Sequence, residues 1–288
     1  MAKKLKVNET TAGKRADVFA TEALPSLSRA YVHTLFESER ITVNKEKAKP
    51  GYKLRLGDTV QIDFDPAEIE QIPDIDLPIL YQDDDVVVIN KPVGVISHAR
   101  GKYWNEPSVA SFVRQITGQE GERAGIVHRL DRATSGVMIC AKNAETMSFL
   151  QKQFGTRNVK KRYLAIVDGH LKPEEAIIDM PIERNPKAPA TFRVGSNGKA
   201  SQTHYKVIGS SRAHDLLELA PVTGRTHQLR VHLKHFGHPI VGDPLYDGSS
   251  NDRLFLHALS LEITMPGGIR KTFTAPEPKE FQELMAKS

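Results

Sequence analysis

Apolar and polar positions alternate along this chain with two periods, and the period changes several times. Over residues 16–24 and 28–36 apolar side chains recur every three or four positions, which predicts two short helices, the second with Ser26 or Ser28 available as N-cap. The period then falls to two. Residues 41–44 and 59–64 read as strands, with Gly57-Asp58 turning into the second. Further on, residues 79–81 and the apolar run 86–89 predict strands joined by a turn at Asp83-Asp84-Asp85. Residues 108–117 predict a covering helix. Residues 125–142 read as strand, polar loop, strand, and 144–154 as a helix with Met147, Leu150 and Phe154 on one face. An apolar strand follows at 164–167. Residues 179–200 are Pro-rich and irregular and predict an extended excursion, after which 201–208 and 215–219 alternate as antiparallel strands. A turn at Thr223-Gly224 leads into an amphipathic helix running to about Phe236, with Gly237 as its stop.

Composition divides this pattern in two. Residues 66–78 carry Glu68, Glu70, Asp74, Asp76 and three prolines without a Lys or Arg, the profile of a linker between a small unit (1–65) and a larger one (79–288). The formal charge of +5 permits nucleic-acid binding, since clustering decides that question. The single cysteine, Cys140, lies in an apolar run and reads as a small buried hydrophobe of a reducing compartment. The basic start is not followed by an apolar segment of signal-peptide type, and no apolar run is long enough to cross a bilayer. A soluble cytoplasmic protein is expected.

Three places carry chemistry. In the loop of 125–142, Asp131 is bracketed by Arg129 and Arg132; alone, such a group reads as a surface ion pair or a turn. The basic run Lys160-Lys161-Arg162 abuts Tyr163, and charge beside a stacking ring suits single-stranded or flipped-out RNA. Arg225 falls in the predicted first turn of the last helix, where the macrodipole disfavours a cation, so an anionic partner is expected and Asp131 is the candidate. His227, His232, His235 and His238 with Asp243 admit a metal reading, which the lack of an acidic base between them as in H-E-x-x-H disfavours. No metal is expected.

The loop words match a family. His128-Arg129-Leu130-Asp131, then Thr134-Ser135-Gly136 and Ala141-Lys142, resemble the signature of the RluA-type pseudouridine synthases. Further phrases agree: Asn90-Lys91-Pro92 with Gly94, KKRYLAIVDG around Tyr163, TGRTHQLRVH from Thr223, Gly242-Asp243-Pro244-Leu245-Tyr246, and Leu256-His257-Ala258. Near the start, Leu27-Ser28-Arg29, residues 41–44 and residues 56–60 resemble the S4 RNA-binding domain. The resemblance implies an α+β fold: a small S4-like RNA-binding domain followed by a mixed, mainly antiparallel β-sheet catalytic domain flanked by helices.

It also implies site residues. Asp131 would be catalytic, paired with Arg225, and Tyr163 would pack on the target base and take part in proton transfer. Arg129 would occupy the space the base vacates, Leu229 would pack in the floor, and Lys91 and His128 would belong to the substrate cleft. Ser28, Arg29, Lys45, Lys160, Lys161 and Arg162 would contact RNA, where basic side chains make sequence-independent phosphate contacts. The product is an isomer of the substrate, so no cofactor is expected. Asp131 would act on C1′ as nucleophile or abstract a ribose proton, and the residues leave both routes open. Ribosomal RNA of the large subunit is the expected partner of a monomeric enzyme, with tRNA as the alternative within the family. A non-catalytic S4-type binding or assembly factor would need neither Asp131 nor Arg225. A hydrolase lacks its G-x-S-x-G elbow.

Overall fold

A computed structural model describes residues 2–64 other than 26 and 28, 74–98, 106–119 and 123–287. The described residues form two compact units. The first takes in those up to Ile75 with 98, 106–111 and 123, and the second takes in the remainder. Ser26 and Ser28, proposed above for capping and RNA contact, and most of the acidic segment 66–78 lie outside the described residues.

In the first unit, β1 (Ala2–Lys6) precedes α1 (Ala16–Ala23) and α2 (Arg29–Glu37), then β2 (Ile41–Val43), β3 (Glu46–Lys47) and β4 (Thr59–Asp63). The strands form an antiparallel sheet in the order β1-β4-β2-β3. Phe19, Val32, Leu35 and Phe36 from the helices bury against Ile41, Val60 and Ile62 from the sheet, as the two periods require. β1 was not legible, because its Ala-Lys-Lys-Leu-Lys has few apolar residues; it is held by register with β4. Asp17 of α1 is fully buried beneath Arg15, Arg29 and His33, accepting from Arg15 Nε at 3.0 Å, Arg29 Nη2 at 2.8 Å and His33 Nε2 at 2.9 Å. Burial opposes its charge, and these hydrogen bonds outweigh it, holding the carboxyl well below the usual carboxylate range.

The second unit follows as β5 (Ile79–Gln82), β6 (Val86–Lys91), α3 (Val109–Thr117, its first three residues counted with the first unit), β7 (Ser135–Ala141), α4 (Ala144–Gly155), β8 (Lys160–Asp168) and β9 (Glu175–Asp179). Then come β10 (Ile182–Arg184), β11 (Phe192–Val194), β12 (Gln202–Ser210), β13 (His214–Pro221), α5 (Gln228–His235), β14 (Leu256–Thr264), β15 (Arg270–Thr274) and α6 (Lys279–Lys287). Among the described residues nine of these strands form one sheet, ordered β5-β6-β7-β14-β8-β13-β12-β9 with β15 on β14. Every pairing is antiparallel except β7 with β14. The fold is therefore the expected mixed, mainly antiparallel α+β arrangement.

Three details depart from the periodicity reading. Ile126-Val127 is not a strand; Ile126 makes one isolated bridge to Cys140, because the chain turns back at once into the polar loop. The excursion 179–200 contains a hairpin, β10 on β11, whose Ile182, Phe192 and Val194 pack with Val231 of α5 and Tyr246. The helix after Thr223 begins only at Gln228, which leaves Arg225 in the loop ahead of it.

Candidate active site

The Asp131 loop is fastened on both sides by the segment after β6. Ser97 Oγ donates to Leu130 O at 2.8 Å and accepts from Leu130 N at 3.1 Å. On the other side Gly94 N donates to Arg132 O at 2.9 Å. Lys91 is fully buried, and its ammonium donates to Pro92 O (2.9 Å), Val95 O (2.8 Å) and Arg132 O (3.4 Å). Burial pushes the Lys91 ammonium down to about 7, against the pull of the Asp131 charge. Lys91 therefore acts on the loop's backbone and is absent from the lining of the Asp131 cleft, contrary to its expected place in the substrate cleft.

The Thr-Ser-Gly phrase ends the loop for a steric reason. Gly136 has φ +115°, and a Cβ there would stand 2.2 Å from Ala258 O and 2.6 Å from Ala258 N. Only glycine lets β7 approach β14 in the one parallel pairing of the sheet. Thr134 N donates to Asp131 O at 3.0 Å and closes the turn.

Asp131 lies on a cleft of about 130 Å³ lined on one side by Arg129, Leu130 and Thr134, on another by Lys161, Tyr163 and Leu256, and on the third by residues from Pro221 to Arg230. Its guanidinium neighbour is Arg230, with Nη1 3.6 Å from Asp131 Oδ2. This corrects the expected pairing with Arg225, which lines the same cleft but whose Nε donates to Ala200 O at 3.3 Å. The cause is the helix register. With α5 starting at Gln228, Arg230 is carried inward on its first turn, and Gln228 satisfies the loop by accepting from Arg225 N and Thr223 Oγ1. Arg230 is 4% exposed and is held by the fully buried Asp243 through two hydrogen bonds of 2.7 Å, a bidentate arrangement, while its Cζ stacks 4.9 Å from the Tyr246 ring centroid. Burial opposes its charge, but Asp243 and Asp131 overcome that and raise its pKa.

The strand period sorts the basic run. Along β8, Lys161 and Tyr163 face the cleft, while Lys160 and Arg162 point to the opposite face and pair with Glu262 and Glu218. Lys161 Nζ donates to Thr223 O at 3.3 Å, and burial pushes its ammonium down to about 8. Burial, reinforced by the Asp131 charge, pushes the Tyr163 phenol well above its usual range, so it stays protonated. Leu229 is 6% exposed and lines the cleft. Arg129 is exposed at the rim.

His128 does not join this cleft. Its ring stacks on Phe154 with centroids 4.6 Å apart, and Nε2 accepts from Ile139 N at 3.1 Å, so it secures the loop to the sheet. Burial and nearby Lys161 push its pKa down to about 3. The histidines of the supposed metal set are dispersed. His232 bonds Thr203 Oγ1 and Met180 O, His238 bonds Asp168 O, and His227 bonds Tyr246 Oη. Among the described residues no group of three His, Cys, Asp or Glu side chains could hold a metal ion. Sequence reasoning missed Arg230, Ser97 and the roles of Asp243 and Tyr246. The signal for Asp243 and Tyr246 was the closing phrase Gly242-Asp243-Pro244-Leu245-Tyr246 and that for Arg230 the phrase TGRTHQLRVH, while Ser97 stood in no motif.

The site thus sets a carboxylate beside a buried guanidinium, with a tyrosine and a lysine across a narrow cleft on a mixed sheet. The RNA pseudouridylate synthase family model matches residues 85–235. The chain is 35% identical to ribosomal large subunit pseudouridine synthase D of Xanthomonas campestris pv. campestris, over 97% of this chain and 90% of that one. It is 30% identical to ribosomal large subunit pseudouridine synthase C of Vibrio cholerae, over 98% and 95%. A solved structure, human RNA pseudouridylate synthase domain containing 1, superposes with a TM-score of 0.60 at 30% identity, covering 70% of this chain and 84% of that one. The chain belongs to the RNA pseudouridylate synthase family.

Proposed function

We propose that this enzyme converts particular uridines of large-subunit ribosomal RNA to pseudouridine, with Asp131 as the catalytic carboxylate. The substrate class follows from what the relatives' names say they modify, together with similarity along nearly the whole chain. The observation that carries the catalytic reading is the setting of Asp131 on the cleft, with Arg230 at 3.6 Å and its loop fastened at both ends.

In the reaction the C1′–N1 bond breaks, uracil turns, C1′–C5 forms, the C5 hydrogen leaves as a proton and N1 gains one. The base must first leave the stack, at a cost of about a few kcal/mol that pocket contacts offset. Asp131 attacks C1′ or removes a ribose proton, and Arg230 stands 3.6 Å from the carboxylate that either role uses. Tyr163, a protonated phenol against the cleft wall, offers a ring for stacking on uracil. Arg129 at the rim takes the space the nucleotide leaves in its helix. Residues 1–65 act as an S4-like RNA-binding domain, with Arg29 and Lys45 among its phosphate contacts, joined by 66–78 to the catalytic domain 79–288. The enzyme works as a monomer in the cytoplasm and needs no cofactor.

Asp131→Asn is expected to abolish tritium release from C5-labelled large-subunit ribosomal RNA while RNA affinity stays near that of the unaltered protein. Retained turnover would remove Asp131 from the chemistry.

A further inference from the structure

Asp131 has a second polar neighbour. His227 Nε2 lies 3.7 Å from Asp131 Oδ2, and its other ring nitrogen, Nδ1, is 2.8 Å from Tyr246 Oη. That phenol oxygen already accepts from the backbone N–H of Phe192 at 3.0 Å. A phenol has one hydrogen to give, and Nδ1 stands within reach of it. The Nε2–H tautomer fits this set of partners, and its N–H lies on the side of Asp131. Its plane is fixed as well. Phe192 and Tyr246 meet the ring edge-on, with centroids at 5.7 and 5.6 Å. The backbone of His227 is left-handed, φ +54°, a strained conformation of the kind that persists where surrounding structure imposes it. The charged and titratable groups acting on the ring are Asp131, Arg230, Asp243, Arg129 and Tyr246. Burial pushes its pKa down, so the ring is neutral in neutral solution.

We infer that His227 is a positioning residue for the isomerisation: oriented by Tyr246, its Nε2–H holds Asp131 Oδ2 toward the cleft, and hairpin β10–β11 sets that orientation through the Phe192 N–H. The inference rests on Asp131 being the catalytic carboxylate. Two arms then converge on one carboxylate, Asp243–Arg230 and Tyr246–His227, and the Tyr246 ring lies under Arg230 in the first while its hydroxyl serves the second. A 3.7 Å separation is one small side-chain adjustment from a hydrogen bond, of the sort that closes when substrate binds. The competing role, acceptor of the C5 proton, requires Nε2 to be free of hydrogen. Nδ1–H would then donate to the phenol oxygen beside the Phe192 N–H, with the phenol hydrogen turned away from the ring.

The test uses the full chain and C5-tritiated large-subunit ribosomal RNA transcript under single-turnover conditions, with transcript affinity and thermal melting measured alongside. His227→Ala is expected to slow the chemical step by about 10- to 100-fold, the weight of a hydrogen bond to a charged group, with affinity unchanged. His227→Gln, whose amide N–H can stand in for Nε2–H, should recover most of the rate. Tyr246→Phe should fall between them, since the tautomer is no longer imposed. A donor survives protonation of the ring, so the acid side of the pH–rate profile should be the same for the unaltered protein and His227→Gln. His227→Gln as slow as His227→Ala, or an acid limb that this substitution removes, would overturn the proposal in favour of a proton acceptor. Should His227→Ala fail to fold, the rates of His227→Gln and Tyr246→Phe decide, and full activity in Tyr246→Phe counts against the relay. Asp131→Asn separates the two levels. Turnover in that variant would sink the reading of the site, whereas its silence beside a fully active His227→Ala would sink only the role given to His227.

Discussion

Arg230 and Arg225 are five residues apart, line one cleft and differ in what holds them. Arg230 is clamped by Asp243 and stacked on Tyr246, so its remaining nitrogen, Nη1, is presented to Asp131 with little freedom to lose. Arg225 has one long bond to a carbonyl. Lysine cannot reproduce a bidentate fork, so Arg230→Lys should cost at least ~10-fold in single-turnover rate, whereas Arg225→Lys should cost clearly less. The reverse order, read by tritium release at saturating RNA, would restore the pairing expected from the motif. Lys91 is a lesson of the same kind. A charged residue in a family phrase was expected at the substrate, yet its ammonium serves three backbone carbonyls and keeps the loop in place.

At the scale of elements, two features make the site. The first is the close parallel approach of β7 to β14, which sets where the Asp131 loop leaves the sheet. Gly136→Ala puts a methyl group into the Ala258 backbone at a positive φ, and neither can yield. A loss of about 3 kcal/mol or more in denaturant stability is expected, and a shift below ~1 kcal/mol would show that the pairing is not tight. The second is the alternation of β8, which leaves Lys161 as the basic residue of its run facing the cleft. Its ammonium, lowered to about 8, is charged below that pH and neutral above it. RNA affinity should therefore weaken as pH rises from 7 to 9, and Lys161→Met should flatten that dependence. An equal pH dependence in the variant would exclude Lys161 as its source.

For the whole molecule the question is how far RNA contact extends beyond the cleft. The first unit exposes Lys45, Lys53 and Arg55, while Arg15 and Arg29 are tied to buried Asp17 and shape the unit as well as charging it. Replacing Lys45, Lys53 and Arg55 together by Ala should lower the slope of log affinity against log salt by about 1 for each phosphate left without its cation, with the rate at saturating RNA intact. An unaltered slope would detach this unit from RNA binding. No helix among the described residues is long and apolar enough to cross a membrane.

By itself the sequence determined the local elements and the family. Periods of two and of three to four placed α1, α2, α4, β6, β12 and β13 within a residue or two, because burial on one face imposes those repeats. It also marked the Asp131 loop, since unusual charge between two apolar runs is visible without coordinates. Tertiary structure alone decided which guanidinium meets Asp131, which face of β8 lines the cleft, and that Lys91 and His128 support the loop. The physical reason is that these outcomes depend on distant segments. A helix start three residues later than predicted moves Arg225 outside it and carries Arg230 inward. Asp243, Tyr246 and Phe192 reach the site only through sheet order and the docking of a hairpin, which no local period records.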